Sequence, residues 1–179
     1  MTDRGFVVWL TGLPSSGKTT IAKRLERYLR SRGFKVELLD GDDVRKWLSP
    51  EAGFSREDRE RHLRRVAYVS KLLARNGVVV IASFVSPYRN VRDEARRMIE
   101  GEGLKFIEVY VKCSLEECMR RDSKGLYEKA LRGEIRDMTG VQDVYEEPLN
   151  PEVLVDSEKQ DPDKCVEEIV GKLREFNLI

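Results

Sequence analysis

An eight-residue stretch near the start of the chain has the residue types and spacing of a phosphate-binding loop. It fits the pattern G-x-x-x-x-G-K-[ST] and consists of Gly12, Leu13, Pro14, Ser15, Ser16, Gly17, Lys18 and Thr19. In such a loop, backbone N–H groups and the positive end of the following helix converge on phosphate oxygens. Lys18 is expected to reach the β- and γ-phosphates of ATP, and the Thr19 hydroxyl is expected to bind Mg²⁺. With Thr20, these residues form the predicted ATP-binding site.

A second group of candidate residues is acidic and follows a predicted strand. Asp40, Asp42 and Asp43 stand where a carboxylate at the carboxyl end of a parallel strand points into a ligand-binding crevice. Asp42 could orient or accept the proton of an attacking hydroxyl, and Asp40 could hold Mg²⁺ through water. The alternative is that Asp42 or Asp43 only caps a short helix predicted at residues 44–48.

Arginines are frequent after the acidic group, and most of them are expected on solvated helix faces beside Glu and Asp. They are Arg45, Arg56, Arg59, Arg61, Arg64, Arg65, Arg89, Arg92, Arg96 and Arg97. Arg45 and Arg59 are the two that are placed near the predicted crevice. Their planar guanidinium groups suit phosphate or sulfate. An acceptor substrate that is itself anionic would explain them.

The surrounding motifs favour a small-molecule kinase among proteins with this loop. A GTPase would need an Asn-Lys-x-Asp motif that reads guanine, and the sequence has none. Two D-x-x-G matches begin at Asp122 and Asp137, but neither directly follows an apolar strand. A motor ATPase would normally carry acidic residues after the third strand, which here ends with Ser83 and Phe84.

Five short apolar runs predict the strands that position these residues: 6–11, 35–39, 78–82, 106–111 and 153–155. Several are continuous and β-branched, as expected for parallel strands covered on both faces. Helical patterns lie between them, with Ser55 and Asp161 as predicted caps. The predicted fold class is α/β, a doubly wound, mainly parallel five-stranded sheet with helices on both faces. It forms one domain, residues 1–179.

Residues 124–151, which we call the lid segment, interrupt the regular pattern. They contain three glycines, two prolines and many charges. Long polar segments of this kind in a compact domain are usually lids or binding loops, and a closed lid would exclude water from phosphoryl transfer. The alternative is a solvated surface excursion without a role.

Composition excludes several classes of partner. The chain has 33 basic and 32 acidic residues, so its net charge of +1 gives no field that favours nucleic acid. The three cysteines form neither a C-x-x-C pair nor an even disulfide set, which favours the cytoplasm. No apolar run is long enough to cross a membrane, and no signal peptide is expected.

The wider sequence resembles one known family, the adenylylsulfate kinases (APS kinases), from residue 7 to about residue 173. Six segments beyond the phosphate-binding loop match the family's motifs in order. They are 39–45 (similar to L-D-G-D-N-V-R), 53–59 (G-F-S-x-x-D-R), 63–65 (I-R-R), 85–89 (I-S-P-Y-R), 121–127 (R-D-P-K-G-L-Y) and 145–151 (Y-E-x-P-x-N-P). Six ordered matches are far more specific than any one of them.

The resemblance implies transfer of the γ-phosphoryl group of MgATP to the 3′-hydroxyl of adenylyl sulfate, giving 3′-phosphoadenylyl sulfate and ADP. The residues at the family's substrate positions are Asp42, Arg45, Phe54, Arg59, His62, Val85, Ser86, Lys124, Met138 and Thr139. Phe54 suits stacking on adenine, and the cationic side chains suit the phosphosulfate. The resemblance also implies that Arg121 packs on the ATP base, and that a homodimer is an option.

Ser86 aligns with the serine described in this family as a phosphoenzyme intermediate. Direct in-line transfer needs no covalent step, so we expect a substrate-positioning or helix-capping role instead. The chain also departs from the family pattern at three places. His62 replaces an Asn, Asp43 replaces another, and Met138 stands where Phe is common. As the only histidine on a charged helix, His62 is expected to be solvated.

Two other functions stay open from the sequence alone. One is a different small-molecule kinase of the same fold, for gluconate, shikimate or a nucleotide. The six matched segments argue against it. The other is a nucleotide-binding regulatory module without turnover, and the presence of Lys18, Thr19, Asp42 and Arg45 argues against that.

Overall fold

Five parallel strands form the sheet in a computed structural model that describes residues 4–179. They are β1 (Val7–Thr11), β2 (Val36–Asp40), β3 (Val79–Ser83), β4 (Phe106–Lys112) and β5 (Val153–Asp156). Each end lies within one residue of its predicted position, and all four strand pairings are parallel. The first three residues of the predicted domain lie outside the described part of the chain.

Seven helices lie between and after the strands within residues 4–179. They are α1 (Lys18–Ser31), α2 (Gly41–Leu48), α3 (Arg56–Arg75), α4 (Arg89–Glu100), α5 (Leu115–Arg121), α6 (Leu126–Leu131) and α7 (Pro162–Glu175). The predicted caps are confirmed. The Ser55 hydroxyl accepts the Asp58 N–H at 3.2 Å, and the Asp161 carboxylate accepts the Lys164 N–H at 2.9 Å. These bonds satisfy donors that the first helical turn leaves open.

The start of α2 differs from the prediction. The sequence predicts a helix over residues 44–48, but it begins at Gly41 because the Asp40 carboxylate accepts the Gly41 N–H at 2.9 Å. Asp42 and Asp43 lie in the first turn, so neither is the cap. The apolar pattern missed this turn because its residues are polar and exposed.

The sheet separates two apolar layers, and the alternation of side chains along β1 supplies both. Val8 and Leu10 pack with residues of α1 and α7, whereas Val7 and Trp9 pack with residues of α3 and α4. All four side chains are fully buried. Burial of each contributes on the order of 1.5–3 kcal/mol, which makes β1 the rigid centre of the fold.

The strand order is β2-β3-β1-β4-β5, so β1 lies between β3 and β4. β2 and β3 lie on one side of β1, and β4 and β5, which come later in the chain, lie on the other side. In sheets of this kind the crevice at the carboxyl ends of the strands, where the order reverses, is the ligand site. The loops after β1, β2 and β3 all reach that edge.

The lid segment is partly helical and has a small core of its own. Buried residues at its base are Cys113, Cys118, Tyr127, Ala130 and Met138. The Tyr127 hydroxyl donates to the carbonyl of Pro14 at 2.9 Å, which ties α6 to the phosphate-binding loop. A solvated excursion without contacts is therefore wrong for this segment.

The cysteines form no disulfide bond within the described part of the chain. Cys113, Cys118 and Cys165 are all buried and free. Among the helices of residues 4–179, none combines the length and the apolar character that a membrane span requires. Apolar packing rather than cross-linking stabilises the fold.

Candidate active site

A cleft of about 1150 Å³ lies at the carboxyl edge of the sheet and brings most of the predicted site residues together. Those that line it are Pro14, Ser15, Gly17, Lys18, Thr19, Thr20, Asp40, Asp42, Arg45, Phe54, Arg59, His62, Val85, Ser86, Arg121, Lys124, Met138 and Thr139. The carboxylates after β2 and the lysine of the phosphate-binding loop thus face one cavity. This is the spatial arrangement that phosphoryl transfer between two substrates requires.

Three predicted residues, Gly12, Leu13 and Ser16, do not line this cleft. A side chain at Gly12 would come within 2.6 Å of the Val111 carbonyl oxygen, so glycine lets the loop lie against β4. Leu13 packs on the core of the lid, and Ser16 is fully buried. Their part in the loop is to shape its backbone.

The backbone of the loop is arranged for an anion. Ser15 and Gly17 have positive φ angles of 63° and 94°, a conformation that costs little only for glycine. Helix α1 begins without a side-chain cap and without an acidic residue in its first turn. Its first N–H groups and the positive end of its dipole therefore stay available for phosphate oxygens.

Lys18 is 7% exposed and lies under the loop. Its ammonium group donates to the carbonyls of Gly12 at 2.9 Å and Leu13 at 2.7 Å, and to the Ser16 hydroxyl at 3.3 Å. Desolvation lowers the pKa of Lys18 to about 8, and the charge of Asp40 opposes that shift. A bound phosphate would raise this pKa again, because an adjacent negative charge favours the charged form.

Thr19 and Asp40 are positioned to hold a magnesium ion. The Thr19 hydroxyl donates to the Asp40 carboxylate at 3.2 Å, so the end of β2 meets the start of α1. One hydroxyl and one carboxylate are hard oxygen donors that leave other positions for water and phosphate oxygens, as Mg²⁺ prefers. No cluster of three or more His, Cys, Asp or Glu that could hold a metal ion lies within residues 4–179.

The opposite wall of the cleft is cationic and aromatic. Phe54 is 59% exposed and lies between the guanidinium groups of Arg45, 4.7 Å from its ring centroid, and Arg59, at 5.9 Å. Arg45 also donates to the carbonyls of Ala52, at 3.2 Å, and Gly53. A planar base could stack on the ring while both cations stay near its phosphate.

Two hydrogen bonds of Arg59 and one ion pair connect this side of the cleft to the lid segment. Arg59 donates to the Thr139 hydroxyl at 2.6 Å and to the Asp137 carbonyl. Lys124 pairs with Asp42 across the cleft, and both of these side chains are more than half exposed. The predicted substrate residues of α2, α3 and the lid are therefore adjacent in space.

His62 is buried, so the expectation of a solvated histidine was wrong. Its ring packs edge-on against Phe84 with centroids 5.6 Å apart, and Nδ1 lies 2.9 Å from the Ser49 hydroxyl. Burial and the positive charges of Arg45 and Arg65 lower the pKa of His62 to about 4, so the ring is neutral at pH 7. Nε2 is buried without a hydrogen-bond partner.

The tautomer of His62 follows from its neighbours. Arg65 donates to the Ser49 hydroxyl oxygen at 3.1 Å and, as an arginine, has no acceptor to offer. The Ser49 hydroxyl can then donate its proton to Nδ1 of His62, and in that arrangement the ring proton lies on Nε2. In that tautomer Nε2 is a neutral donor in a side chain that lines the cleft, although the atom itself is buried.

Ser86 is strained and buried. Its φ is 40°, and it is 2% exposed. Its hydroxyl accepts from the Trp9 indole at 3.1 Å and donates to the Phe84 carbonyl at 3.3 Å. A non-glycine residue held in this conformation costs about 1–3 kcal/mol and persists only where its surroundings fix it.

Three further residues line the cleft beside Gly17 that the sequence reasoning did not select: Ser157, Gln160 and Pro162. The Ser157 hydroxyl donates to the Ser16 carbonyl at 2.6 Å, and Arg121 donates to the Ser157 carbonyl at 2.8 Å. These residues follow β5 directly. The rule that ligands bind beyond the carboxyl ends of parallel strands was the signal that could have found them.

Comparisons with known proteins agree on one family. A family model described as adenylylsulphate kinase matches residues 4–156. The chain is 58% identical over 156 residues to a probable adenylyl-sulfate kinase of Aeropyrum pernix, covering 87% of this chain and 85% of that protein. It is 48% identical over 179 residues to the adenylyl-sulfate kinase of Picosynechococcus, and the match covers 100% of this chain and 99% of that protein.

A solved structure supports the same conclusion. The Mycobacterium tuberculosis APS kinase CysC, in complex with AMPPNP and APS, superposes with a TM-score of 0.93 at 39% identity. The match covers 96% of this chain and 98% of that one. The family model and the relatives each span most of the chain. This protein therefore belongs to the adenylylsulphate kinase family.

Proposed function

We propose that this protein is an adenylyl-sulfate kinase, which transfers the γ-phosphoryl group of ATP to the 3′-hydroxyl of adenylyl sulfate. The products are 3′-phosphoadenylyl sulfate and ADP. The observation that carries the proposal is the single cleft in which Lys18 faces Asp40 and Asp42. Family membership identifies the acceptor, and the anion-binding residues on both walls suit two phosphorylated substrates.

The donor half of the reaction uses the phosphate-binding loop. The open N–H groups at the start of α1 bind the β- and γ-phosphate oxygens, and Lys18 leaves the loop carbonyls to neutralise the charge that develops during transfer. Thr19 and Asp40 would hold Mg²⁺, which would supply positive charge that neutralises the phosphates. Arg121, fixed by Ser157, would cover the ATP base.

The acceptor half uses the cationic wall. The adenine of adenylyl sulfate stacks on Phe54, and Arg45, Arg59 and Lys124 bind its phosphosulfate. When Lys124 turns to the substrate, Asp42 loses its ion-pair partner and can accept the proton of the attacking hydroxyl.

The remaining predicted contacts complete the acceptor site. His62 donates one hydrogen bond from Nε2, Val85 and Ser86 contribute the loop after β3, and Met138 with Thr139 close the site from the lid. In this arrangement Ser86 positions the substrate and carries no phosphoryl group, because in-line transfer needs no covalent step. Its hydroxyl is already engaged with Trp9 and Phe84.

An assay of ADP release with a panel of acceptors tests the proposal. Adenylyl sulfate should support turnover, and turnover should require Mg²⁺. Gluconate, shikimate and nucleoside monophosphates should not support it. Turnover with one of those acceptors but not with adenylyl sulfate would favour another small-molecule kinase. ATP binding without any turnover would favour a regulatory module.

Two broader expectations accompany the proposal. Free, buried cysteines suit a reducing cytoplasm, and fractionation of the source cells would test that location. A homodimer is one option for the assembly, and light scattering of the purified protein would distinguish it from a monomer or a larger ring.

A further inference from the structure

Arg92 on α4 was predicted to be solvated, but it is 2% exposed and fully engaged. Its Nε donates to the Glu108 carboxylate at 2.9 Å, Nη1 to the Ser86 carbonyl at 2.6 Å, and Nη2 to the Glu146 carbonyl at 2.6 Å. A guanidinium group is the side chain that can make three such bonds in one plane.

The first carbonyl belongs to the loop after β3, residues 84–87, which we call the acceptor loop. Ser86 lies in this loop with its φ of 40°. Its carbonyl also accepts from the Thr11 hydroxyl at 3.3 Å, and its hydroxyl accepts from Trp9 at 3.1 Å. The Trp9 and Thr11 side chains of β1 thus help to hold the strained conformation, which persists only where its surroundings fix it.

The second carbonyl belongs to the segment through which the lid returns to the sheet. The Glu146 N–H donates to the Pro87 carbonyl at 2.8 Å, and its carboxylate accepts the Arg89 N–H at 2.8 Å. Through these two hydrogen bonds, Arg92 joins the acceptor loop to the end of the lid segment. Glu108 on β4 anchors the guanidinium group to the sheet.

The acceptor loop is in turn fastened to the phosphate-binding loop. The Thr11 hydroxyl donates to the Val85 carbonyl at 2.7 Å and lies 2.8 Å from the Tyr145 hydroxyl. The Gly12 N–H donates to the same Val85 carbonyl at 3.4 Å. The two loops that face the two substrates are consequently joined by direct hydrogen bonds.

We propose that Arg92 is a positioning residue for the acceptor substrate, and this inference rests on the proposed kinase function. By holding the carbonyls of Ser86 and Glu146 at fixed places, it sets where the acceptor hydroxyl lies relative to the phosphate-binding loop. Misplacement of reacting groups by about 1 Å can cost on the order of 100-fold in rate. Arg92 itself touches neither substrate and acts through the acceptor loop.

The test is Arg92→Lys, with Arg97→Lys as the matched control on the exposed face of the same helix. Lysine keeps the charge opposite Glu108 but cannot bond both carbonyls in one plane. We expect KM for adenylyl sulfate to rise about tenfold and kcat to fall, while KM for ATP and the Kd of ADP change less than about twofold. The control should leave all four values unchanged.

A second variant guards against loss of folding. Arg92→Met combined with Glu108→Gln removes the pair without leaving a buried charge unpaired. It should show the same selective loss toward adenylyl sulfate in a protein whose thermal unfolding stays cooperative. The two variants thus test separately whether the guanidinium group at position 92 is needed.

The outcomes are distinguishable. Unchanged KM for adenylyl sulfate in either folded variant, or an equal rise of both KM values, would overturn the positioning role and leave Arg92 as a stabilising residue only. Absence of adenylyl sulfate turnover in the wild-type protein would overturn the proposed function and this inference with it. Selective loss in the variants of an active wild-type enzyme supports both.

Discussion

The donor half of the cleft is centred on one contiguous loop, whereas the acceptor half is assembled from segments far apart in the sequence. This loop is residues 12–20, in which Ser16 is fully buried and Lys18 is 7% exposed; Asp40 and Arg121 complete the donor half from β2 and α5. The acceptor half joins α2, α3, the acceptor loop and the lid through side chains such as Arg59, and Phe54 stays 59% exposed. One half is therefore set by local backbone geometry and the other by long-range contacts.

This difference suggests a division of labour. A preformed donor site binds phosphates with little reorganisation, and electrostatic stabilisation of the transition state belongs to it. An acceptor site held by exposed ion pairs can open and close, because contacts such as Lys124–Asp42 are weak when solvated. We expect changes in the donor half to affect the chemical step and changes in the acceptor half to affect substrate affinity.

The largest effect should come from Lys18→Ala. It removes a charge that acts on the transferring phosphoryl group, so kcat should fall about 100- to 1000-fold. Steady-state kinetics with both substrates saturating measures it, with circular dichroism as the check on folding. Binding of adenylyl sulfate should be kept, and a variant that lost this binding but retained kcat would break the division between the halves.

Arg59→Met should have the second largest effect. It removes the contacts of α3 with Thr139 and with the acceptor phosphosulfate, and hydrogen bonds of charged groups are worth about 1.5–3 kcal/mol. We expect kcat/KM for adenylyl sulfate to fall about 10- to 100-fold. Arg61→Met, at an exposed site two residues away, is the control. Equal losses of adenylyl sulfate and ADP affinity would show that the halves are not separate.

The pH dependence of ADP binding should report Lys18 alone. Its pKa of about 8 in the free protein rises when phosphates bind, so binding above pH 8 takes up a proton. Affinity for ADP should therefore be nearly level between pH 7 and 8 and then fall, by at most about tenfold per pH unit. Calorimetry in two buffers of different ionisation enthalpy counts the protons taken up.

Lys18→Met is the control for this titration, because methionine has no proton to lose. We expect Lys18→Met to bind ADP more weakly than the wild-type protein, and this affinity should not decline above pH 8. Proton uptake that persisted in Lys18→Met would assign the titration to another group and remove the pKa argument for the donor half.

The sequence predicts the donor half better than the acceptor half, because the two halves depend on local and long-range contacts respectively. The phosphate-binding loop and the strands were predictable because their signals lie within a few consecutive residues. His62 was expected to be solvated because its burial depends on Phe84 and Ser49, 22 and 13 positions away. No local pattern carries that information.

Arg92 was missed for a related reason. Its helix has a charged face, and a buried arginine is expected only where its partners are known. Those partners are Glu108, inside an otherwise apolar strand, and two backbone carbonyls. The family resemblance covered residues 85–89, which lie just before Arg92, without indicating what Arg92 does.

Ser86→Ala should have the smallest effect on activity and a larger effect on stability. Alanine adopts the same backbone angle as serine at similar cost, so the acceptor loop should keep its place. The buried Trp9 indole loses its acceptor, which should lower the free energy of unfolding by about 1–3 kcal/mol. We expect kcat to stay within about threefold of the wild-type value, measured beside denaturant unfolding.

The opposite pattern would change the view of the acceptor half. If Ser86 carried the phosphoryl group, Ser86→Ala would abolish turnover with little loss of stability, and rapid quenching would trap a phosphoserine that forms as fast as the overall reaction. That result would turn a positioning loop into a catalytic one. With the hydroxyl of Ser86 buried and held between Trp9 and Phe84, the structure favours retained activity, because a nucleophile must reach the phosphorus atom and needs a nearby base.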